Sequence, residues 1–256
     1  MTDRRWVDRA AEVLVGKTNL VVVTGAGMSH DSGVPTFRDA MTGLWHKYDP
    51  QELATETAFR HNPARVFGWY LWRWQLVREV KPHAGYHSLA RLERTVDDFL
   101  IATQNVDGLH RCAGSRAVVE LHGSLDSFRC LDGGHPYDSA NLARMEATSS
   151  EEVEPPCCQE CGSPIRPGVV WFGESLPESA VRRAWSAAAD CDALVMIGTS
   201  AVVYPAAELP SIALRKGCPV VEINPASTPL SPHVTVAWPE RAAVALPALV
   251  SRLVDE

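Results

Sequence analysis

Short apolar, β-branched runs alternate along this chain with longer segments of helical periodicity, and that alternation restricts the fold more than any other feature. Val21–Thr24, Phe99–Ala102, Ala117–Leu121, Val169–Phe172, Ala193–Ile197 and Pro219–Ile223 read as short buried strands. Helices are expected over Asp3–Lys17, Asn62–Val80, His83–Arg94, Pro177–Ala189 and Ala206–Lys216. Leu246, Leu249, Val250 and Leu253 give a closing helix its apolar stripe. Strands separated by helices point to a parallel α/β sheet. Ligands on such sheets bind beyond the carboxyl ends of the strands. The polar turns there are the places to look: Gly25–Ser29, Thr103–His110, His122-Gly123, Gly198–Ser200 and Asn224.

The chain has 256 residues, enough for one sizeable core carrying an inserted module. Thirty-one acidic residues against 24 basic ones give a net charge of −7, which argues against a general nucleic-acid binder. Met1–Ala11 lacks the apolar core of a secretion signal, and no apolar run approaches the ~18 residues of a membrane span. Of the 7 cysteines, Cys130, Cys157, Cys158 and Cys161 cluster, whereas Cys112, Cys191 and Cys218 are scattered. This usage suits a reduced, cytoplasmic protein with a metal module better than a disulfide scaffold.

Gly25-Ala26-Gly27 follows the first strand, where glycine permits positive φ and close backbone approach. Free amides and a helix dipole at such a turn favour a phosphate. The usual dinucleotide fingerprint wants a third glycine where this chain has His30, so a tight structural turn explains the same residues. Gly33 and Pro35 then break any helix, and the loop carries Phe37 and Arg38. After the second strand, Gln104, Asn105, Asp107 and His110 crowd hydrogen-bonding side chains together, with Asn105 or Asp107 also able to cap a helix. His122 stands at the end of the third strand, ahead of Gly123. Its ordinary pKa near ~6.5 suits a general base at neutral pH.

The string G-A-G-M-S-x-x-S-G-V-P-x-F-R over residues 25–38, T-Q-N-V-D-G-L-H over 103–110 and E-L-H-G-S over 120–124 closely resemble the sirtuins, the NAD-dependent protein deacylases. The likeness runs from about Leu14 to the C-terminus. It implies a Rossmann-like parallel sheet with a small inserted helical plus zinc-ribbon-like module. Residues 1–256 would then form a single catalytic domain, the module coming from insertions at 35–81 and 124–168. The resemblance also implies NAD as co-substrate, held by Gly25, Ala26, Gly27, Ser29, Phe37, Arg38, Gln104, Asn105, Asp107, Gly198, Thr199, Ser200, Asn224 and Ala242. His122 would be the catalytic base, with Asn105 beside it. The implied chemistry is attack of an acyl-lysine amide oxygen on the ribose carbon that nicotinamide leaves, giving free lysine and O-acyl-ADP-ribose. Mono-ADP-ribosyl transfer or NAD hydrolysis would follow from the same intermediate, and an NAD-sensing binding module is the reading from another class.

Val170, Phe172, Gly173 and Glu174 resemble the family's peptide-binding strand, to which acylated-lysine proteins would add; an internal strand has the same pattern. Tyr70 and Arg73 lie three apart and share a helix face. Their Y-x-x-R spacing resembles the subgroup that removes succinyl and malonyl groups, whose carboxylate a guanidinium and a phenol would bind. A solvated arginine on an amphipathic helix is the plainer alternative. The family's structural zinc takes two C-x-x-C pairs. Here Cys158-x-x-Cys161 supplies one, but Cys130 is followed three on by Gly133. His135 or Cys157 would complete a zinc site with Cys130, Cys158 and Cys161.

Overall fold

The computed structural model describes residues 3–34, 50–143, 145, 147–148 and 151–255. Phe37 and Arg38 lie outside the described residues. The chain opens with helix α1 (Arg4–Leu14), capped by the Asp3 carboxylate on the Arg5 amide, and strand β1 (Asn19–Thr24). The Asp192 carboxylate accepts from the amides of Thr18 and Asn19, fixing where β1 begins. Helices α2 (Glu56–His61), α3 (Pro63–Glu79) and α4 (Ala84–Leu92) follow, then β2 (Asp98–Thr103), the short α5 (Leu109–Cys112) and β3 (Val118–Glu120). Strands β4 (Gly123–Cys130), β5 (Pro136–Tyr137) and β6 (Ile165–Val169) form an antiparallel sheet of order β5-β4-β6. Helix α6 (Glu178–Asp190), β7 (Ala193–Ile197), α7 (Glu208–Arg215), β8 (Val220–Ile223), β9 (Val236–Trp238) and α8 (Ala242–Val254) complete the chain.

Six parallel strands make the main sheet, in the order β3-β2-β1-β7-β8-β9. Alternate residues of β1 face opposite cores. Leu20 and Val22 pack with α1, α4 and α8 on one side, and Val21 and Val23 with α6 and α7 on the other. Burial on both faces is why these strands read as continuous apolar runs. β1 pairs with β2 on one edge and β7 on the other, so the strand order reverses there and opens a crevice at the carboxyl ends.

A second core joins α2 and α3 to the small sheet. Phe67, Tyr70, Leu71 and Trp74 pack with Leu125, Phe128, Leu142, Ile165 and Trp171. The stretch from Ser124 to Pro167 therefore does contribute to a core, contrary to its irregular sequence. Its apolar residues pack on α3 and on each other across the β4–β6 pair. Helix α3 is buried from Val66 to Leu71 without a break, and Arg73, one turn beyond Tyr70, is part-buried. Four strands differ from expectation. β4, β5 and β9 lack the continuous apolar run of a strand buried on both faces, and the run at 169–172 ends its strand at Val169. Beyond it the Glu174 amide donates to the Trp171 carbonyl at 3.0 Å, and Gly173 adopts φ +88. That left-handed residue closes a turn that an extended strand would not accommodate.

Candidate active site and metal centre

The crevice is built first from two backbone turns. β1 ends in a 3-10 turn, Ala26–Met28, and a second one, His30–Ser32, follows in place of the expected α-helix start. Gly25 and Gly27 do not have positive φ. A β-carbon on Gly25 would stand 2.9 Å from the Gly198 carbonyl oxygen, and one on Gly27 would stand 2.8 Å from Gly198 Cα. Gly198 itself has φ +58 and faces the Met28 amide. The glycines thus let the turns after β1 and β7 pack backbone against backbone. Among the described residues the amides of Ala26, Thr199 and Ser200 donate to no protein acceptor, and they cluster at the carboxyl end of the sheet. Such a cradle suits the pyrophosphate of a dinucleotide.

Side chains from four strand ends tie this cradle together. Gln104 Nε2 donates to Thr199 Oγ1 at 3.1 Å, and Asn224 Nδ2 to the Thr199 carbonyl at 2.8 Å. Asn105 Nδ2 donates to the Gly25 carbonyl at 3.0 Å and to Ser29 Oγ at 2.9 Å. Ser29 Oγ in turn donates to Asp107 Oδ2 at 2.5 Å and lies 2.7 Å from the Tyr86 hydroxyl. Asp107 Oδ1 also accepts from the Leu109 amide at 3.0 Å at the start of α5, but the N-cap position itself belongs to Gly108 and not to Asn105 or Asp107. Burial raises its carboxyl above the ordinary range, against the Ser29 hydrogen bond. Ala242 opens α8, whose preceding Arg241 donates to Asp31 Oδ1 in the second 3-10 turn at 2.8 Å. Tyr86 was not singled out from sequence. It sits on an ordinary helical repeat, and its partner Ser29 is 57 positions away. His110 is not at the mouth of the site: it is buried against Thr24 Oγ1 at 3.0 Å, and burial takes its pKa down to about 3.

His122 Nδ1 lies 3.0 Å from the Gln104 carbonyl oxygen. A carbonyl only accepts, so Nδ1 carries the proton and Nε2 presents its lone pair. Burial lowers the imidazole below its ordinary pKa, against the Gln104 carbonyl, which favours the charged form. The ring is therefore neutral at pH 7 and competent as a base.

The Y-x-x-R pair lies on α3. Tyr70 is 3% exposed. The Arg73 guanidinium is 4.8 Å from the centroid of the Trp69 ring and 5.9 Å from that of Tyr70. Burial lowers the Arg73 pKa, while Tyr70 and Asp107 favour its charge. The expected peptide-binding stretch is rearranged. The Val170 amide donates to the His122 carbonyl, that of Phe172 to the Ala54 carbonyl and that of Trp171 to Glu174 Oε2, each at 2.8 Å. The amides of Val170, Trp171 and Phe172 are thus already committed within the fold. The Glu174 carboxylate accepts from the Arg166 guanidinium through both of its oxygens. Phe172, 55% exposed, and Gly173 stand at the tip of the turn.

The cysteine cluster closes around His135. Its Nδ1 lies 3.4 Å from Cys130 Sγ and 3.5 Å from Cys158 Sγ, and Cys130 and Cys161 place their sulfurs 3.6 Å apart. All four ligand atoms lie within 4.8 Å of one another. Ligands at ~2.0–2.3 Å from one tetrahedral zinc stand about 3.5–3.8 Å apart, so this Cys3His set fits the ion. Amides of Cys161 and Glu160 bring the Cys158 thiol down to about 6, toward the thiolate a metal takes. Cys157 is exposed and outside the cluster, so of the two candidates for the missing ligand the fold selects His135.

A parallel sheet with a phosphate cradle at its switch point, a neutral histidine beside it and an inserted zinc-binding module defines a nucleotide-binding α/β enzyme. The Sir2 family profile matches residues 25–205, and the chain belongs to that family. It is 50% identical over 234 residues to a Mycobacterium tuberculosis protein named NAD-dependent protein deacylase, covering 91% of this chain and 97% of that one. It is likewise 50% identical over 214 residues to NAD-dependent protein deacylase 1 of Pseudomonas aeruginosa, covering 84% and 86%. Among solved structures, a Sir2 homologue–NAD complex superposes with a TM-score of 0.85 at 39% identity, over 99% of this chain and 94% of that one. A Sir2 protein bound to a myristoylated histone peptide gives 0.78 at 34% identity, over 98% and 97%.

Proposed function

We propose that this enzyme, an NAD-dependent protein-lysine deacylase, acts preferentially on succinyl- and malonyl-lysine. The observation that carries the preference is the placement of Tyr70 and Arg73. A buried phenol and a part-buried guanidinium share a face of α3, with Arg73 close enough to Asp107 of the cofactor crevice to feel its charge. A guanidinium among aromatic rings favours a carboxylate, and a neutral phenol beside it adds a hydrogen-bond donor. Burial raises the Tyr70 pKa, so that donor keeps its proton across the working range.

NAD, when bound, supplies a ribose carbon made electrophilic by departure of nicotinamide. The chain's own residues do the rest. The amides of Ala26, Thr199 and Ser200 take the pyrophosphate, while Asn105, Ser29 and Asp107 hold the crevice wall where nicotinamide and ribose sit. His122 Nε2 accepts the ribose hydroxyl proton. The same pocket has to keep water from the ribose carbon, since water attack there is plain NAD hydrolysis. The thiolate-rich metal site suits a reducing compartment, and we place the enzyme in the cytoplasm. No helix among the described residues is long and apolar enough to cross a membrane.

The test uses NAD and three peptides identical except for acetyl-, succinyl- or malonyl-lysine, with products followed by mass. Succinyl and malonyl groups leave faster, and Arg73→Met lowers desuccinylation more than deacetylation. Equal losses on the two substrates would remove the acidic-acyl assignment and leave the deacylase standing. Nicotinamide release without peptide change would point to hydrolysis or ADP-ribosyl transfer instead.

A further inference from the structure

We infer that Trp171 is a positioning residue for acyl selectivity, acting by orienting the Tyr70 hydroxyl. This rests on the acidic-acyl reading of Tyr70 and Arg73. Trp171 Nε1 donates to Tyr70 Oη at 3.1 Å, and the two rings lie 6.2 Å apart at 45°. An indole N–H only donates, so the phenol oxygen must accept here. The phenol has one proton, and among the described residues it has no acceptor for it. The bond from Trp171 therefore fixes the lone-pair side of the oxygen and directs the O–H elsewhere. Arg73, the charged group that acts most strongly on Tyr70, lies on the same helix face. A carboxylate that accepts from the Arg73 guanidinium would accept that O–H as well.

Trp171 is itself held from three sides. Its ring is 2% exposed, with Phe59 5.3 Å away centroid to centroid and Arg166 Cζ 3.4 Å from its own centroid. Its backbone amide donates to Glu174 Oε2. Arg166, 1% exposed, completes the clamp. It pairs with both carboxylate oxygens of Glu174 and donates to the carbonyls of Pro167 and Val169. The indole cannot follow a wandering phenol, so it acts as a fixed donor. Arg166 lies on β6, which pairs with the β4 strand that ends at Cys130. The clamp on Trp171 is thereby braced on the strand that carries Cys130.

The experiment compares the parent enzyme with Trp171→Phe, Tyr70→Phe and the double variant on succinyl- and acetyl-lysine peptides. Phenylalanine keeps an aromatic ring for the Arg166 contact and lacks the N–H. One hydrogen bond corresponds to about 3- to 10-fold. Trp171→Phe should lower the succinyl-over-acetyl selectivity by about that factor, chiefly through KM for the succinyl peptide. The double variant should lose no more selectivity than Tyr70→Phe alone. A parent with no acidic-acyl preference would sink the reading beneath this inference and the inference with it. A parent with that preference, combined with equal losses on both peptides in Trp171→Phe, would overturn the inference alone. Should Trp171→Phe not fold, the indole N–H resonance gives the answer in Tyr70→Phe, which keeps the tryptophan. The Trp171 proton should shift and exchange faster with solvent there, and an unmoved resonance would count against the bond.

Discussion

A β-carbon on Gly133 would lie 2.5 Å from His135 Cε1 and 2.8 Å from its Nδ1, so the imidazole fills the space that a cysteine at 133 would need. The two ligands exclude each other, and the missing cysteine is compensated by a residue two positions on. His135→Ala should lose zinc at chelator concentrations that leave the parent loaded, and should unfold at lower temperature because metal binding is coupled to folding. Gly133→Cys should displace the imidazole, which cobalt substitution reports as a stronger sulfur-to-metal charge-transfer band. Full zinc retention in His135→Ala would contradict the Cys3His assignment.

The His122 tautomer predicts a pH profile. Burial lowers its pKa below the ordinary 6.5. The base form is the neutral one, so deacylation is sustained at pH 7 and falls as pH drops through that depressed value. The acid limb of kcat/KM should therefore have its midpoint below 6.5, and His122→Ala should abolish the limb, cutting deacylation by about 10²–10⁴-fold while NAD still binds. A midpoint above 6.5 would show that another group carries the proton.

The strands that build the crevice were legible because parallel strands are buried on both faces, and Val21–Val23 or Leu194–Ile197 can then be nothing but apolar. The turns carrying Gly25, Gln104, Asn105, His122 and Gly198 were legible by their place after those strands. What escaped was long-range. Tyr86 meets Ser29, and Trp171 meets Tyr70, through contacts that no local period encodes. The run at 169–172 looked like a strand because its composition is that of one. The Glu174 carboxylate on the Trp171 amide and the left-handed Gly173 turn it instead. Cys191 and Cys218 looked unrelated, yet their sulfurs lie 3.4 Å apart at the amino end of the sheet.

Gly198 tests the packing of the two turns. Its φ of +58 disfavours any β-carbon by about 1–2 kcal/mol. An added one would also run into the Gly27 and Met28 backbone. Gly198→Ala should lower stability by at least that much in urea unfolding and weaken NAD binding, since the Thr199 and Ser200 amides move with the turn. Gly217, with φ +76 and open space around its β-carbon, is the control. Alanine there should cost the left-handed strain alone and leave NAD affinity as it was.

The Arg166–Glu174 pair gives the sharpest stability prediction. Arg166 is buried, and its guanidinium depends on Glu174 for charge compensation. Glu174→Gln leaves that cation without its partner, and breaking a buried pair from one side costs roughly 3–5 kcal/mol. The sign with pH follows from the carboxyl. Burial pushes Glu174 upward, but the Arg166 guanidinium and the Trp171 amide outweigh it, and its pKa is held below the ordinary 4.5. A depressed carboxyl stabilises the fold at pH values above 4.5, and that contribution is lost as pH falls through the depressed value. Urea unfolding of parent and Glu174→Gln should therefore differ most near neutrality and converge in acid. A gap that stayed constant down to acid would mean that the loss arises from packing around Trp171 rather than from the charge.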